Sequence, residues 1–176
     1  MNILPSLQRG KLIVACSPNA AADYLSLLLA ELSLRSEVTI VDGGHRLRPY
    51  RITYLLAKKK ADVNLTSKRF HIRLASTCYQ MQAVLKGTPA LPQPYVFIDL
   101  LATFYDDHVL TREASRLLTS CLDEINRLRH TAPVLVTLAP PLVEERAFLV
   151  QRVKDQADEL FESEIIVPAI VQPALF

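Results

Sequence analysis

Glycine is scarce in this chain: 176 residues contain four. A backbone that wraps closely around phosphate needs glycine where the phosphate approaches, so the count is low for a nucleotide-binding enzyme. Charge imbalance is equally small. Twenty Lys+Arg against 18 Asp+Glu leave a net charge of +2, too little by itself to argue for nucleic acid or an acidic membrane. The three cysteines, Cys16, Cys78 and Cys121, are scattered and read as small buried hydrophobes in a reducing compartment. No apolar run has the length of a membrane-spanning helix, so no membrane association is expected. The N-terminal MNILPSLQRGK has no basic region ahead of an apolar one, so no signal peptide is expected. The expected location is cytoplasmic, or nuclear in a eukaryotic source. His45, His71, His108 and His130 share no metal-ligand spacing, and no metal site is expected. Ser26, Ser115 and Ser120 fall within helical patterns, away from any G-x-S-x-G elbow. Asp106, Asp107 and His108 read as a turn before a helix rather than as a ligand set.

Half of the residues are apolar, and a chain of this length buries about 70% of its unfolded surface. One domain over residues 1–176 is expected, without repeats or low-complexity segments. Apolar runs at residues 12–16, 38–41, 70–74, 95–99 and 134–138 predict strands, with a last strand at 165–171 broken by Pro168 and so placed at a sheet edge. Helices are predicted over about 49–60 (with Pro49 first), after Ser76 or Thr77 until Gly87, over 111–130, and over 145–161. Alternating strand and helix argue for a mostly parallel, twisted sheet between helix layers.

The first unit, residues 11–34, reads as buried strand, short turn and amphipathic helix. Ser17 or Asn19 is expected to cap the helix, and Leu25, Leu28, Leu29 and Leu32 share one of its faces. In nucleotide-binding α/β proteins a P-loop, G-x-x-x-x-G-K-[ST], occupies this turn. Here the register reads SPNAAADY. Ser17 and Ala22 stand at the glycine positions, Asp23 at the lysine and Tyr24 at the Ser/Thr. An aspartate facing phosphate would cost several kcal/mol, by rough estimate, and tyrosine does not hold magnesium as a small hydroxyl does. From this stretch alone, an α/β first unit without P-loop ancestry is the better reading.

Four segments in order resemble the RecA/RadA-type recombinases and their paralogues. The degenerate P-loop is preceded by Gly10, where the family also has glycine. VDGGHRLRPYRI is similar to I-D-T-E-G-x-F-R-P-E-R-[IL] through Asp42, Arg48, Pro49 and Arg51. RLASTCYQM resembles R-A-x-N-S-x-H-Q-M through Arg73, Gln80 and Met81. YVFIDLLATFY resembles the family's Walker B strand ending in aspartate, here Asp99. The helix at 110–129 and the strand PVLVT continue the likeness, which covers roughly residues 10–140.

The departures matter as much. The family's water-positioning glutamate falls on Gly44, and its T-N-Q and long DNA-binding loop are replaced by Leu138-Ala139-Pro140-Pro141. No counterpart of the family's N-terminal helical domain or F-x-x-A tether is expected. The resemblance therefore implies a RecA-like P-loop-type three-layer fold with a degenerate P-loop, in which Ser17, Ala22, Asp23, Tyr24, Asp42, Gly44 and Asp99 are vestigial nucleotide-site positions. It implies a non-enzymatic paralogue, a pseudo-ATPase without cofactor, serving as partner or assembly subunit in DNA recombination or repair. The partner would be a second copy or another RecA-like subunit, met through LAPPLV at 138–143 and the uncharged segment 165–176. Two other readings stay open: an ATPase with an unorthodox site using Asp42 and Asp99 for magnesium, and a stand-alone DNA-binding module. For the latter, Arg46, Arg48, Arg51, Lys58, Lys59 and Lys60 are the candidate phosphate contacts, giving weak, salt-sensitive binding. A solvated helix face accounts for the same charges.

Overall fold

The computed structural model describes residues 3–141 and 143–163. It contains one six-stranded sheet in the order β3-β2-β4-β5-β1-β6, every pair of which is parallel. The strands are β1 (Leu12–Cys16), β2 (Val38–Asp42), β3 (Phe70–Leu74), β4 (Tyr95–Ile98), β5 (Val134–Leu138) and β6 (Glu159–Glu162). The helices are α1 (Ala22–Arg35), α2 (Pro49–Lys58), α3 (Val63–Ser67), α4 (Cys78–Lys86), α5 (Thr111–Arg129) and α6 (Ala147–Lys154).

The central strands β1, β2, β4 and β5 are nearly continuous apolar runs because helices cover both of their faces. Alternate side chains sort into two cores. Leu12, Val14, Phe97 and Val136 pack with residues of α4, α5 and α6, while Ile13, Ile40, Val96 and Leu135 pack with α1 and α2. The sorting follows from chain direction. β1→β2 and β2→β3 run toward the β3 edge and carry α1 and α2. The connections β3→β4, β4→β5 and β5→β6 run the other way and carry α4, α5 and α6. With all crossovers of one hand, opposite directions put helices on opposite faces.

Local chemistry sets several boundaries. Pro49 opens α2, and the Thr77 hydroxyl caps α4 by accepting the Gln80 N–H at 3.1 Å. Asp106 turns the chain before α5, its carboxylate accepting the His108 N–H at 2.9 Å. Two expectations are corrected. The helix predicted over 145–161 stops at Lys154, and residues 159–162 are strand. Asp158 causes the switch: its carboxylate accepts the Leu12 N–H and its N–H donates to the Leu12 carbonyl, which zips β6 onto β1. Neither Ser17 nor Asn19 caps α1 by its side chain; the N-cap is Ala21, with no side-chain cap bond. α3 is a five-residue helix absent from the sequence reading, capped by Asp62, which accepts the Leu65 N–H. The strand predicted at 165–171, like Leu142, lies outside the described residues. No helix among the described residues is long and apolar enough to cross a membrane.

Candidate functional site

Because the sheet is parallel, the loops after β1, β2, β4 and β5 gather at one end. In open α/β sheets ligands bind in the crevice outside these carboxyl ends, where neighbouring strands send their connections in opposite directions. β2 and β4 are such a pair. At this end Pro18, Asn19, Arg46, Asp99, Ala102, Tyr105, Ala139 and Pro140 line a cleft of about 470 Å³.

Asp99 is its chemical centre. It follows β4 in a left-handed backbone conformation, φ 49°, unusual for a residue other than glycine. Its N–H donates to the Thr137 hydroxyl at 3.0 Å. Its Oδ1 accepts the Ala139 N–H at 3.1 Å, and its Oδ2 accepts Arg46 Nε at 3.1 Å. The carboxylate side is 1% exposed, the arginine 42%. A guanidinium from the next loop thus neutralises a buried carboxylate at the mouth of the cleft. On the far side, the Tyr105 hydroxyl donates to the Ala139 carbonyl at 3.2 Å. Burial, then the nearby Asp99 charge, raises the Tyr105 pKa, which keeps the phenol protonated as a donor.

The two glycines after β2 are required by this packing. A Cβ on Gly43 would stand 2.8 Å from Met81 Cε and 2.9 Å from the Asp99 carbonyl. A Cβ on Gly44 would stand 2.7 Å from Asp99 Cβ and 2.8 Å from its Cγ. No side chain fits at position 44 while Asp99 keeps this place, a glutamate included. Asp42 serves the same loop: buried, it accepts the N–H groups of Gly44 and Arg46 on Oδ1 and of Leu47 on Oδ2.

The loop after β1 closes on itself. The Ser17 hydroxyl accepts the Ala21 N–H at 2.5 Å and the Ser17 carbonyl the Ala20 N–H at 3.0 Å. The Asn19 carbonyl accepts the Ala22 N–H at 3.1 Å. The Ala20, Ala21 and Ala22 N–H groups are therefore bonded within the turn. Ala20 and Ala21 are left-handed, φ 48° and 55°, where a P-loop has glycine nearby. The Tyr24 hydroxyl accepts the Ile3 N–H at 2.7 Å and so ties down the N-terminal segment.

No protein-family model matches this chain, and no curated protein matches it either. Of the residues expected to be nucleotide-site positions, Ser17, Ala22 and Tyr24 belong to the β1–α1 junction, Asp23 stands at the start of α1, and Asp42, Gly44 and Asp99 meet in the β2–β4 crevice. The basic stretch divides. Arg46 pairs with Asp99, and Lys59 with Glu31 of α1 at 2.6 Å. Arg48 and Arg51 lie at the crevice end of α2, exposed but engaged in contacts. Lys58 and Lys60 lie at its other end, about 15 Å away along a ten-residue helix. Leu138 is a core residue, so of the 138–143 segment Ala139, Pro140, Pro141 and Val143 reach the surface. The sequence reading missed the roles of Arg46 as counter-ion and of Tyr105 as clamp. Its usable signal was the glycine pair, since two adjacent glycines in a glycine-poor chain mark a close approach.

Proposed function

We propose that this chain is a RecA/RadA-like subunit with a degenerate P-loop, one that does not hydrolyse nucleotide and acts as a partner or assembly subunit in DNA recombination or repair. The observation that carries the reading is the Arg46–Asp99 pair packed onto Gly44. In an active site of that family the aspartate ending this strand works on magnesium and phosphate, and a glutamate near Gly44 positions the water. Here the chain supplies its own cation to the aspartate and leaves no room for the glutamate. The β1 loop supports the same reading, because three of its N–H groups, those of Ala20, Ala21 and Ala22, are already bonded within the turn and not free for phosphoryl oxygens. An unorthodox magnesium site on Asp42 and Asp99 is disfavoured for the same reason: Asp42 holds three backbone N–H groups and Asp99 an arginine and one N–H.

A subunit without nucleotide chemistry is expected to act through a protein surface. The test has two arms. Single-turnover hydrolysis of labelled ATP by the wild type and by Asp23→Lys should show no product above buffer in either. Capture of the tagged chain from native extract should recover a RecA-like protein, or light scattering after gel filtration should show a dimer. Turnover in the wild type overturns the inactive site, and a strict monomer that recovers no recombination protein overturns the partner role.

A further inference from the structure

A cavity of about 150 Å³ lies on the α4 side of the sheet, beside the edge strand β3 and toward the amino end of β2. Its floor is polar and buried. Thr39 is 7% exposed and Gln93 8%, and Gln93 Nε2 donates to the Thr39 hydroxyl at 2.7 Å. Gln93 Oε1 is left without a partner among the described residues, in a side chain that lines the cavity. One wall is apolar and stiff. Pro89 and Leu91 belong to a connection with prolines at 89, 92 and 94. The buried Tyr95 hydroxyl pins it, donating to the Pro89 carbonyl at 2.7 Å and accepting the Leu91 N–H at 2.5 Å. The rim is charged at both ends. Glu37 precedes β2, and on β3 His71 and Arg73 pair with Thr39 and Val41 and share their face. Glu37 and Arg73 therefore stand four register positions apart, about 13 Å of strand. His71 Nε2 bonds Glu37 Oε2 at 2.9 Å, which holds that carboxylate and leaves its other oxygen open. Arg73 spends one of its N–H donors on a long 3.4 Å contact with the Gly87 carbonyl, and its others remain.

We propose that this cavity binds a small zwitterion, an aminocarboxylate whose two charges stand at opposite ends. A cavity of this volume takes a guest of about benzene's size, which sets the length of the ligand. Its ammonium donates to the open Glu37 oxygen and to Gln93 Oε1, its carboxylate accepts from Arg73, and its methylenes lie against Pro89 and Leu91. An anion alone would face Glu37 and a cation alone would face Arg73, so either leaves one repulsive end. An apolar guest would strand the Gln93 carbonyl. Floor and wall are fixed before anything binds, which lowers the cost of ordering them. The cavity lies away from the crevice at the carboxyl ends of the strands, so the proposal stands or falls separately from nucleotide chemistry.

The test is calorimetric titration of the full chain with 4-aminobutanoate, and with butanoate and butylamine as analogues that each lack one charge. The aminocarboxylate should bind saturably with a millimolar or lower Kd. Each analogue should bind about 10-fold more weakly or worse, the worth of a hydrogen bond to a charged group. Glu37→Gln should weaken 4-aminobutanoate about 10-fold or more and erase its preference over butanoate. Arg73→Ala should weaken it similarly and erase its preference over butylamine. A merely structural role for either residue would instead lower the binding of all three probes alike. Both positions are exposed, so circular dichroism should show unchanged folds. Absence of saturable binding, an analogue that binds equally well, or unchanged preferences in both variants overturns the proposal.

Discussion

Asp99 and its neighbours hold the least replaceable chemistry in the molecule. A buried carboxylate is tolerable only with a partner, and Arg46 is that partner from a position 42% exposed. Arg46→Ala should therefore cost more than a surface pair and less than a fully buried one, about 1–3 kcal/mol in urea unfolding. Gly44→Ala should cost a similar 1–3 kcal/mol or so by overpacking against Asp99. Gly44→Glu should destabilise without creating hydrolysis. A second residue-scale consequence concerns the thiols. All three are free, and burial pushes Cys121 up to about 12 from 9.0. Its folded pKa lies above the unfolded one, so its contribution to stability is complete below about pH 9 and is lost as pH rises toward 12. At neutral pH, Cys121 should resist alkylation in the native protein and react at once in denaturant. Equal labelling rates in the two states would contradict its burial.

Among the elements, the β1–α1 loop stores backbone strain. Left-handed alanine costs about 1–2 kcal/mol, and glycine returns part of that through the unfolded chain. Ala21→Gly should stabilise by about 0.5–1 kcal/mol, whereas glycine within α1 should destabilise by about the same amount; thermal melts distinguish them. Legibility also varied by element. β1 and β5 were readable because strands covered on both faces are runs of apolar residues, LIVAC and VLVTL. The long α5 was readable because its buried residues repeat with helical period. β6 was not, because Glu159–Glu162 continues the composition of α6 and only its pairing with the distant β1, anchored at Asp158, makes it a strand. α3 is a single short turn whose one signal was Asp62. The site was half legible. Asp99, Gly44 and the turn between β1 and α1 were visible as positions. The Arg46–Asp99 pair spans 53 residues and depends on a left-handed backbone at Asp99, which no local pattern encodes.

At the scale of the whole molecule, the sheet brings four loops to one end and the chain then fills that end with its own groups. Arginine meets the aspartate, backbone carbonyls and a serine hydroxyl take the loop donors, and tyrosines tie down the segments on either side. That arrangement leaves a cleft whose buried carboxylate is already paired and whose first loop has three N–H groups bonded within its own turn, which is the physical basis for proposing a nucleotide-silent subunit. The most direct measurement is the melting temperature across an ATP–magnesium titration. A ligand of the folded state at 100 times its Kd adds about 2.7 kcal/mol, or roughly 5–10 °C for a chain of this size. The account predicts a flat titration for the wild type. A saturable rise of several degrees with ATP–magnesium would contradict it.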